Sequence, residues 1–305
     1  MALGAATVLI ATVVGCSHTP ASPPTDSTPS TGDHSGSWPE KLKDFRFRWT
    51  AEPGVDLVGG WAVPVRAYLE SWLVIRYTDD IDNGYPGFLQ ATPTPPRTGS
   101  PESLELPYEQ RQIRKSRGAS DFHDSNQRIV GNEEFHVVRT EPIPTGFRAF
   151  VCDSTLNAYT QAAGATQFTP MKLLNGLTPN DYDNMKVWRI EFSDHDPRAD
   201  SSRPTAPTAP QRGPQPAPRT DVFGPWFVTG SEVVAGWSNG DHPGVVLGSP
   251  EDLELTRDAQ DAENTMRQQC LDRYPLNADQ RAKMATTVVD NPPTVEPAVP
   301  GWPES

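Results

Sequence analysis

A serine between two glycines, in Gly236-Trp237-Ser238-Asn239-Gly240, has the spacing of a nucleophile elbow, a sharp strand-to-helix turn that exposes a reactive hydroxyl. This chemistry requires a helix directly after the serine and a histidine base farther along the chain. The residues that follow, Asp241-His242-Pro243-Gly244, are typical of a turn. His242 is the only histidine after Ser238 and lies too close to it in sequence to fold back as its base. The sequence therefore favours a turn here over a hydrolytic site.

A histidine between two acids, in Asp194-His195-Asp196, is a second candidate, because a neighbouring carboxylate suits an imidazole to a metal-binding or general-base role. The segment lies at the end of a predicted strand, where alternation puts both Asp side chains on one face and His195 on the other. This separation argues against a shared site. His123 and His136 stand alone in the sequence and are predicted to be surface or strand-face residues.

An acidic run, Asp79-Asp80-Ile81-Asp82-Asn83-Gly84, has the composition of a calcium-binding loop. If Gly84 takes the sixth position of an EF-hand, Ile81 falls on a ligand position and Gln90 replaces the bidentate acid. We therefore expect a solvated helix end without a metal. The sequence also lacks a phosphate-binding loop and a dinucleotide fingerprint, so it predicts no catalytic residue and no cofactor.

The thiol of Cys16 closes an uncharged apolar run, Ala2 to Gly15, that is too short to span a bilayer but has the length of a signal-peptide core. The run ends in Val13-Val14-Gly15-Cys16, which resembles the lipobox of bacterial lipoproteins, including those of actinobacteria. The resemblance implies cleavage before Cys16 and a diacylglyceryl group on its thiol, and two acyl chains suffice for stable anchoring. The chain departs from the family at Val13, where Leu is usual, and has no Lys or Arg before Lys41. The alternatives are an ordinary cleaved secretory signal with an incidental cysteine, or a buried N-terminal helix.

Composition divides the rest of the chain. Residues 16–38 are rich in Ser, Thr and Pro and cannot bury enough apolar surface to fold, which predicts a flexible tether after a signal peptide at residues 1–15. Residues 39–290 are predicted to form the globular domain, with a Pro-rich, solvated insertion at 198–220. The Pro-rich tail, residues 291–305, is expected to be loose.

Two further cysteines, Cys152 and Cys270, lie within the predicted domain. In an exported protein a pair is most simply interpreted as one disulfide, and the alternative is two buried free thiols. No CxxC or HxxxH spacing accompanies either residue, so the sequence does not predict a zinc site.

The predicted elements are a front helix, four long strands and two back helices. The helix is indicated by apolar residues at helical spacing, namely Trp61, Val65, Leu69, Trp72 and Leu73. Strands are predicted at residues 127–140, 146–159, 186–193 and 225–234, after a short one at 45–49. Ser249-Pro250-Glu251-Asp252 predicts the start of a helix that runs to about Arg273, and Asn277-Ala278-Asp279-Gln280 starts a shorter one.

This order of elements predicts an α+β fold with a curved antiparallel sheet, an N-terminal helix and C-terminal helices. The pattern is similar to the NTF2-like cone, in which such a sheet wraps an N-terminal helix. The sequence features that carry the resemblance are the strand Phe147-Arg148-Ala149-Phe150-Val151-Cys152-Asp153 and the strand start Gly224-Pro225-Trp226-Phe227-Val228. It covers roughly residues 55–234.

The formal net charge of −13 disfavours nucleic acid as a partner, because binding phosphates depends on Lys and Arg. It also gives no attraction to anionic lipid, so membrane contact is expected through the lipid anchor. We therefore expect a non-enzymatic lipoprotein on the outer face of the cell membrane that binds an apolar ligand or an envelope protein, or acts as a scaffold. The alternative is an envelope hydrolase or isomerase with an acid/His site in the sheet cavity.

Overall fold

The computed structural model describes residues 38–96, 99–111, 113–114, 127–171, 184–195, 203–234, 237 and 249–304. The strands are β1 (Phe45–Ala51), β2 (Arg128–Ile143), β3 (Gly146–Ser154), β4 (Ala158–Gln161), β5 (Thr169–Pro170), β6 (Met185–Ser193) and β7 (Phe227–Val233). The helices are α1 (Ala62–Thr78), α2 (Phe88–Ala91), α3 (Pro101–Glu105), α4 (Tyr108–Arg111), α5 (Pro250–Arg273) and α6 (Ala278–Thr286). Within these ranges, no helix combines the length and the apolar character needed to cross a bilayer.

The strands form one curved, unclosed sheet with helices before and after it, which confirms the predicted α+β class. The long strand β2 is its centre, because it pairs with β3 and β4 in antiparallel fashion and with β1 in parallel. β6 pairs with β3, and β7 pairs with β6, both antiparallel. Among the pairings of these seven described strands, that of β1 with β2 is parallel, which is possible because α1 and the loops before β2 separate the two strands in sequence.

The strand predicted at residues 146–159 is interrupted. β3 pairs with residues 134–143 of β2 and β4 with residues 128–131, and residues 155–157 between them leave the regular ladder. Gly131 lies beside this break with φ +99°, and a Cβ there would overlap the carbonyl oxygen of Asn157. A glycine is therefore required where the strand and the interruption approach each other.

Helix α1 lies on one face of the sheet and is buried around most of its circumference. It starts at Ala62 with Pro64 in its first turn, where the missing N–H costs nothing, and ends at Asp79 in the left-handed conformation (φ 57°). The helix packs against aliphatic and aromatic side chains of β2, β3 and β6 that alternate toward it, namely Phe135, Val137, Ala149, Val151, Ile190 and Phe192. This helix-facing side contains the main core.

The insertion predicted at residues 198–220 has no helix and no long strand where it is described, from 203 onward, and most of these residues are exposed, but a few buried positions contact the domain. Gln211 is 8% exposed, its N–H donates to the carbonyl of Val58 over 2.7 Å, and its own carbonyl accepts from Arg66 over 3.0 Å. Ala217 is also buried. The segment is therefore solvated over most of its described length and docked at Gln211, where the buried guanidinium of Arg66 binds a backbone carbonyl.

The C-terminal tail, predicted to be loose, is docked on the domain at Val299 and Trp302. Val299 forms a bridge beside Arg48 of β1, and Trp302 is only 1% exposed. The indole N–H of Trp302 donates to the buried carboxylate of Glu70 on α1 over 2.7 Å, and the Arg66 guanidinium lies 4.1 Å from the indole ring centroid. The physical reason is that one large aromatic side chain can dock an extended segment that has no secondary-structure pattern of its own.

Candidate functional site

Several residues singled out in the sequence lie outside the described residues or apart from any site. Cys16, His123 and Asp196 are outside, as is Gly236-Trp237-Ser238-Asn239-Gly240 apart from Trp237. Asp194 and His195 are exposed at the end of β6. In the acidic run, the Asp80 side chain accepts from the backbone N–H of Asp82 over 3.0 Å, which is a local turn contact.

Cys152 on β3 and Cys270 near the end of α5 are joined with their Cα atoms 5.9 Å apart, so the predicted disulfide is confirmed. The bond fastens α5 to the outer face of the sheet, which is the face turned away from α1. Phe150, Val187 and Leu271 pack around it and make a second, smaller core. The start of α5 follows its predicted chemistry, because the Ser249 side chain accepts from the Asp252 N–H over 3.2 Å.

A pocket of about 270 Å³ lies beside the disulfide, between the outer face of the sheet and the end of α5. Part of its lining is apolar and includes the disulfide, Met185 and Pro275. The remaining lining comes from β1, β2, β3, the end of α5 and the C-terminal tail, namely Arg48, Trp49, Thr50, Glu134, Phe135, His136, Ser154, Arg273, Tyr274 and Val299. With Met185 of β6, six parts of the chain therefore meet here, from β1 near the start of the domain to the C-terminal tail.

One polar group in the pocket is centred on Glu134. Its Oε2 accepts the hydroxyl of Tyr274 and the side-chain amide of Asn157, the latter over 3.1 Å. The same amide lies 3.1 Å from the Tyr274 oxygen, which closes a three-membered network. Burial, together with the Glu134 carboxylate, raises the pKa of Tyr274, so the phenol stays protonated and acts as a donor.

The second polar group is centred on His136. Its Nδ1 lies 2.8 Å from Thr50 Oγ1, and its Nε2 lies 3.0 Å from Glu52 Oε1. Arg273 makes an ion pair with Glu52, and its Nη1 is 3.3 Å from His136 Nε2. Burial lowers the pKa of His136, so the imidazole is neutral at pH 7.

The arrangement is suited to recognition by hydrogen bonds beside an apolar surface. Arg48 and Arg273 are matched by Glu134 and the neighbouring Glu52, so the pocket does not select strongly for one charge. The Tyr274 phenol, the imidazole and the guanidinium groups place donors and acceptors in the same pocket as the disulfide and Met185. Across the described ranges, no set of three or more His, Cys, Asp or Glu side chains is arranged to hold a metal.

Sequence reasoning did not find this pocket, although two signals were present. Alternation along β2 puts Glu134 and His136 on the same face, and the register of β3 sets Cys152 opposite His136. The predicted disulfide then brings the end of α5, with Arg273 and Tyr274, to that face. Glu52 could not be placed in this way, because it reaches the site only through the parallel pairing of β1.

Comparison with known proteins adds no relative. No protein-family model matches the chain, and no curated protein or solved structure matches it either.

Proposed function

We propose that this protein is a lipid-anchored, non-enzymatic protein of the cell envelope whose globular domain binds a small amphipathic molecule in the pocket beside Cys152–Cys270. The lipid on Cys16 would provide the membrane attachment, residues 17–38 the tether, and the pocket the binding function. The proposal includes no nucleic-acid partner and no cofactor.

The pocket is the single observation that carries the binding function. A volume of about 270 Å³ is at the lower end for ligand sites and equals roughly nine liquid water molecules. A compact molecule with one apolar and one polar side fits this space, whereas a complete diacyl lipid is too large. On the opposite face of the sheet, α1 and its aromatic neighbours occupy the concave side, as in the stacking of Phe147 on Phe192 at 4.7 Å. The expected ligand therefore lies on the outer face and not inside a cone.

The binding function is tested by native mass spectrometry of protein extracted from membranes, comparing two tryptophan substitutions at valines of similar exposure. Val299 lines the pocket and is 43% exposed, whereas Val288 follows α6 outside it and is 46% exposed. We expect a co-purifying small molecule in the wild type and in Val288→Trp, and its loss in Val299→Trp, because the indole fills the space. An equal amount of bound molecule in both variants, or none in the wild type, would contradict the proposal.

The anchor is tested separately by fractionating cells that produce the full chain or its Cys16→Ser variant. We expect the wild type in the membrane fraction and the variant outside it, because the serine hydroxyl cannot receive the thioether-linked lipid. A Cys16→Ser protein that stays membrane-bound would remove the anchor from the proposal and leave the pocket unaffected.

A hydrolase is the second candidate, and one contact favours it. Thr50, His136 and Glu52 occur in the order hydroxyl, imidazole, carboxylate that nucleophilic catalysis uses. Burial weakens His136 as a base, however, and the guanidinium of Arg273 lies 3.3 Å from the nitrogen that would share the developing positive charge. Covalent labelling of Thr50 by a fluorophosphonate probe would support the hydrolase, and we expect no labelling.

A further inference from the structure

Two acidic side chains are completely buried between the sheet and α1, on the face opposite the pocket. Glu133 on β2 and Asp153 on β3 are each 0% exposed. They are diagonal neighbours on the same face of two paired strands, because Asp153 is in register with Phe135, two residues after Glu133. Two ionised carboxylates in such a position would repel strongly in a region of low dielectric constant, so their protonation state needs an explanation.

The hydrogen bonds account for one oxygen of each acid and leave the other. Glu133 Oε2 accepts the hydroxyl of Tyr77 over 2.7 Å. Asp153 Oδ2 accepts the indole N–H of Trp188 over 2.9 Å and lies 3.4 Å from the ammonium nitrogen of Lys186. The second oxygens, Glu133 Oε1 and Asp153 Oδ1, are buried without any donor among their neighbours. A buried carboxylate oxygen without a donor destabilises the folded state, and one proton held between the two acids would give both oxygens a partner.

We infer that Glu133 and Asp153 form a buried acid pair that holds one proton between them, with Glu133 as the protonated member and Lys186 as the counter-ion of Asp153. The Glu133 hydroxyl then donates to Asp153 Oδ1, which satisfies both remaining oxygens with a single bond. The pair carries one negative charge, and the Lys186 ammonium balances it. Neutrality of the whole group removes most of the cost of burying it.

The surroundings of the pair agree with this assignment. Burial first, and the Asp153 charge second, hold the pKa of Glu133 well above its ordinary value. Burial lowers the pKa of Lys186, and Asp153 opposes that shift. The Lys186 ammonium also lies 4.2 Å from the Trp188 ring centroid, which stabilises the charged form.

The titratable and charged groups that face the pair come from three elements, namely Tyr77 and Arg76 of α1, Lys186 of β6 and Glu232 of β7. β1 presents the apolar Phe47 in register with Glu133. Burial raises the pKa of Glu232 to about 7 and also raises that of Glu70, so the total pH dependence of the protein has several sources. The test must therefore compare variants.

The test is the urea unfolding equilibrium of the full chain, measured in steps between about pH 5 and about pH 7. Because folded Glu133 keeps its proton while the unfolded chain releases it, unfolding is increasingly favoured as pH rises. We expect the unfolding constant of the wild type, divided by that of Glu133→Gln, to rise about tenfold per pH unit. Glu141→Gln, on the same strand but in a solvated pair with Arg139, is the matched control and should keep the wild-type slope.

A second variant separates a shared proton from a single acid in an apolar site. In Asp153→Asn the like charge is gone and the amide can donate to Glu133, so the pKa of Glu133 falls although its burial remains. We expect the unfolding constant of Asp153→Asn, divided by that of Asp153→Asn/Glu133→Gln, to stop rising at a lower pH than the wild-type ratio does. If the two ratios follow the same pH curve, Glu133 is protonated by burial alone and the pair is overturned.

A wild-type ratio that does not change with pH would overturn the inference, since both acids would then be ionised in the folded protein. If Glu133→Gln does not fold, the side-chain carboxyl carbon of Glu133 is titrated directly by NMR in the wild type. We expect the chemical shift of a protonated acid at neutral pH, and the shift of an ionised carboxylate would equally refute the assignment.

Discussion

Replacing Trp302 by alanine should destabilise the protein by about 4–6 kcal/mol, although this residue lies in a Pro-rich tail three positions from the chain end. Trp302 is 1% exposed, so truncation removes a completely buried indole, a change that costs about 3–5 kcal/mol in protein cores. It also removes one of three donors to the buried Glu70 carboxylate, which Trp49 and Tyr85 bind as well, each over 2.7 Å. Leaving a buried acceptor short of a donor adds about 1–3 kcal/mol, and the two costs overlap in part.

The free energy of unfolding is measured by urea denaturation at neutral pH, with far-UV circular dichroism as the signal. Trp302→Phe keeps most of the buried volume but loses the N–H donor, so it should cost only about 1–3 kcal/mol. Val299→Ala changes an exposed side chain of the same tail and should stay within about 0.5 kcal/mol of the wild type. If Trp302→Ala costs less than about 1 kcal/mol, the tail is not part of the folded domain and the argument from burial fails.

Two further predictions concern the pocket. The double variant Cys152→Ala/Cys270→Ala opens a loop with a sequence separation of 118 and should lower the free energy of unfolding by about 4–5 kcal/mol in urea, whereas a loss below about 1 kcal/mol would show that α5 is held by other contacts. In an NMR pH series, His136 should titrate with a pKa below the ordinary histidine value, because burial disfavours its charged form. The neutral imidazole therefore contributes to stability above the ordinary pKa, and this contribution is lost as the pH falls. A titration midpoint at or above the pKa of histidine in the unfolded chain would contradict the prediction.

The periodic elements could be predicted from the sequence because each has a local physical cause. Helical spacing identified α1, alternation identified β2, β3, β6 and β7, and the Ser249 and Asn277 caps identified the starts of α5 and α6. The disulfide followed from cysteine number and exported context. The helices, strands and caps are determined by interactions between residues close in sequence. The disulfide could be predicted because the domain contains only two cysteines to pair.

The docked segments could not be predicted in the same way, because their contacts are between distant residues and leave no period. Arg66 donates to the carbonyls of Leu57, Gln211, Pro300 and Gly301, and only the folded chain brings these together. A signal was nevertheless present. Trp302 is a large apolar side chain in a segment otherwise composed of proline and small or polar residues, and such a residue is more often docked than solvated.

The acid pair and the pocket are linked by the alternation of two strands. Glu133 faces α1 while Glu134 faces the pocket, and Asp153 lies between Cys152 and Ser154, which both line the pocket. A ligand that binds only the folded chain stabilises it by the same amount at every pH if its affinity does not depend on the pair. If ionisation of Glu133 pushes β2 and β3 apart, the affinity of the pocket for its ligand falls when Glu133 loses its proton. Because such coupling is reciprocal, the bound ligand then raises the proton affinity of Glu133 by the same factor. The pH dependence of ligand-induced stabilisation therefore measures whether the protonation state of Glu133, on one face of the sheet, changes the ligand affinity of the pocket on the other face.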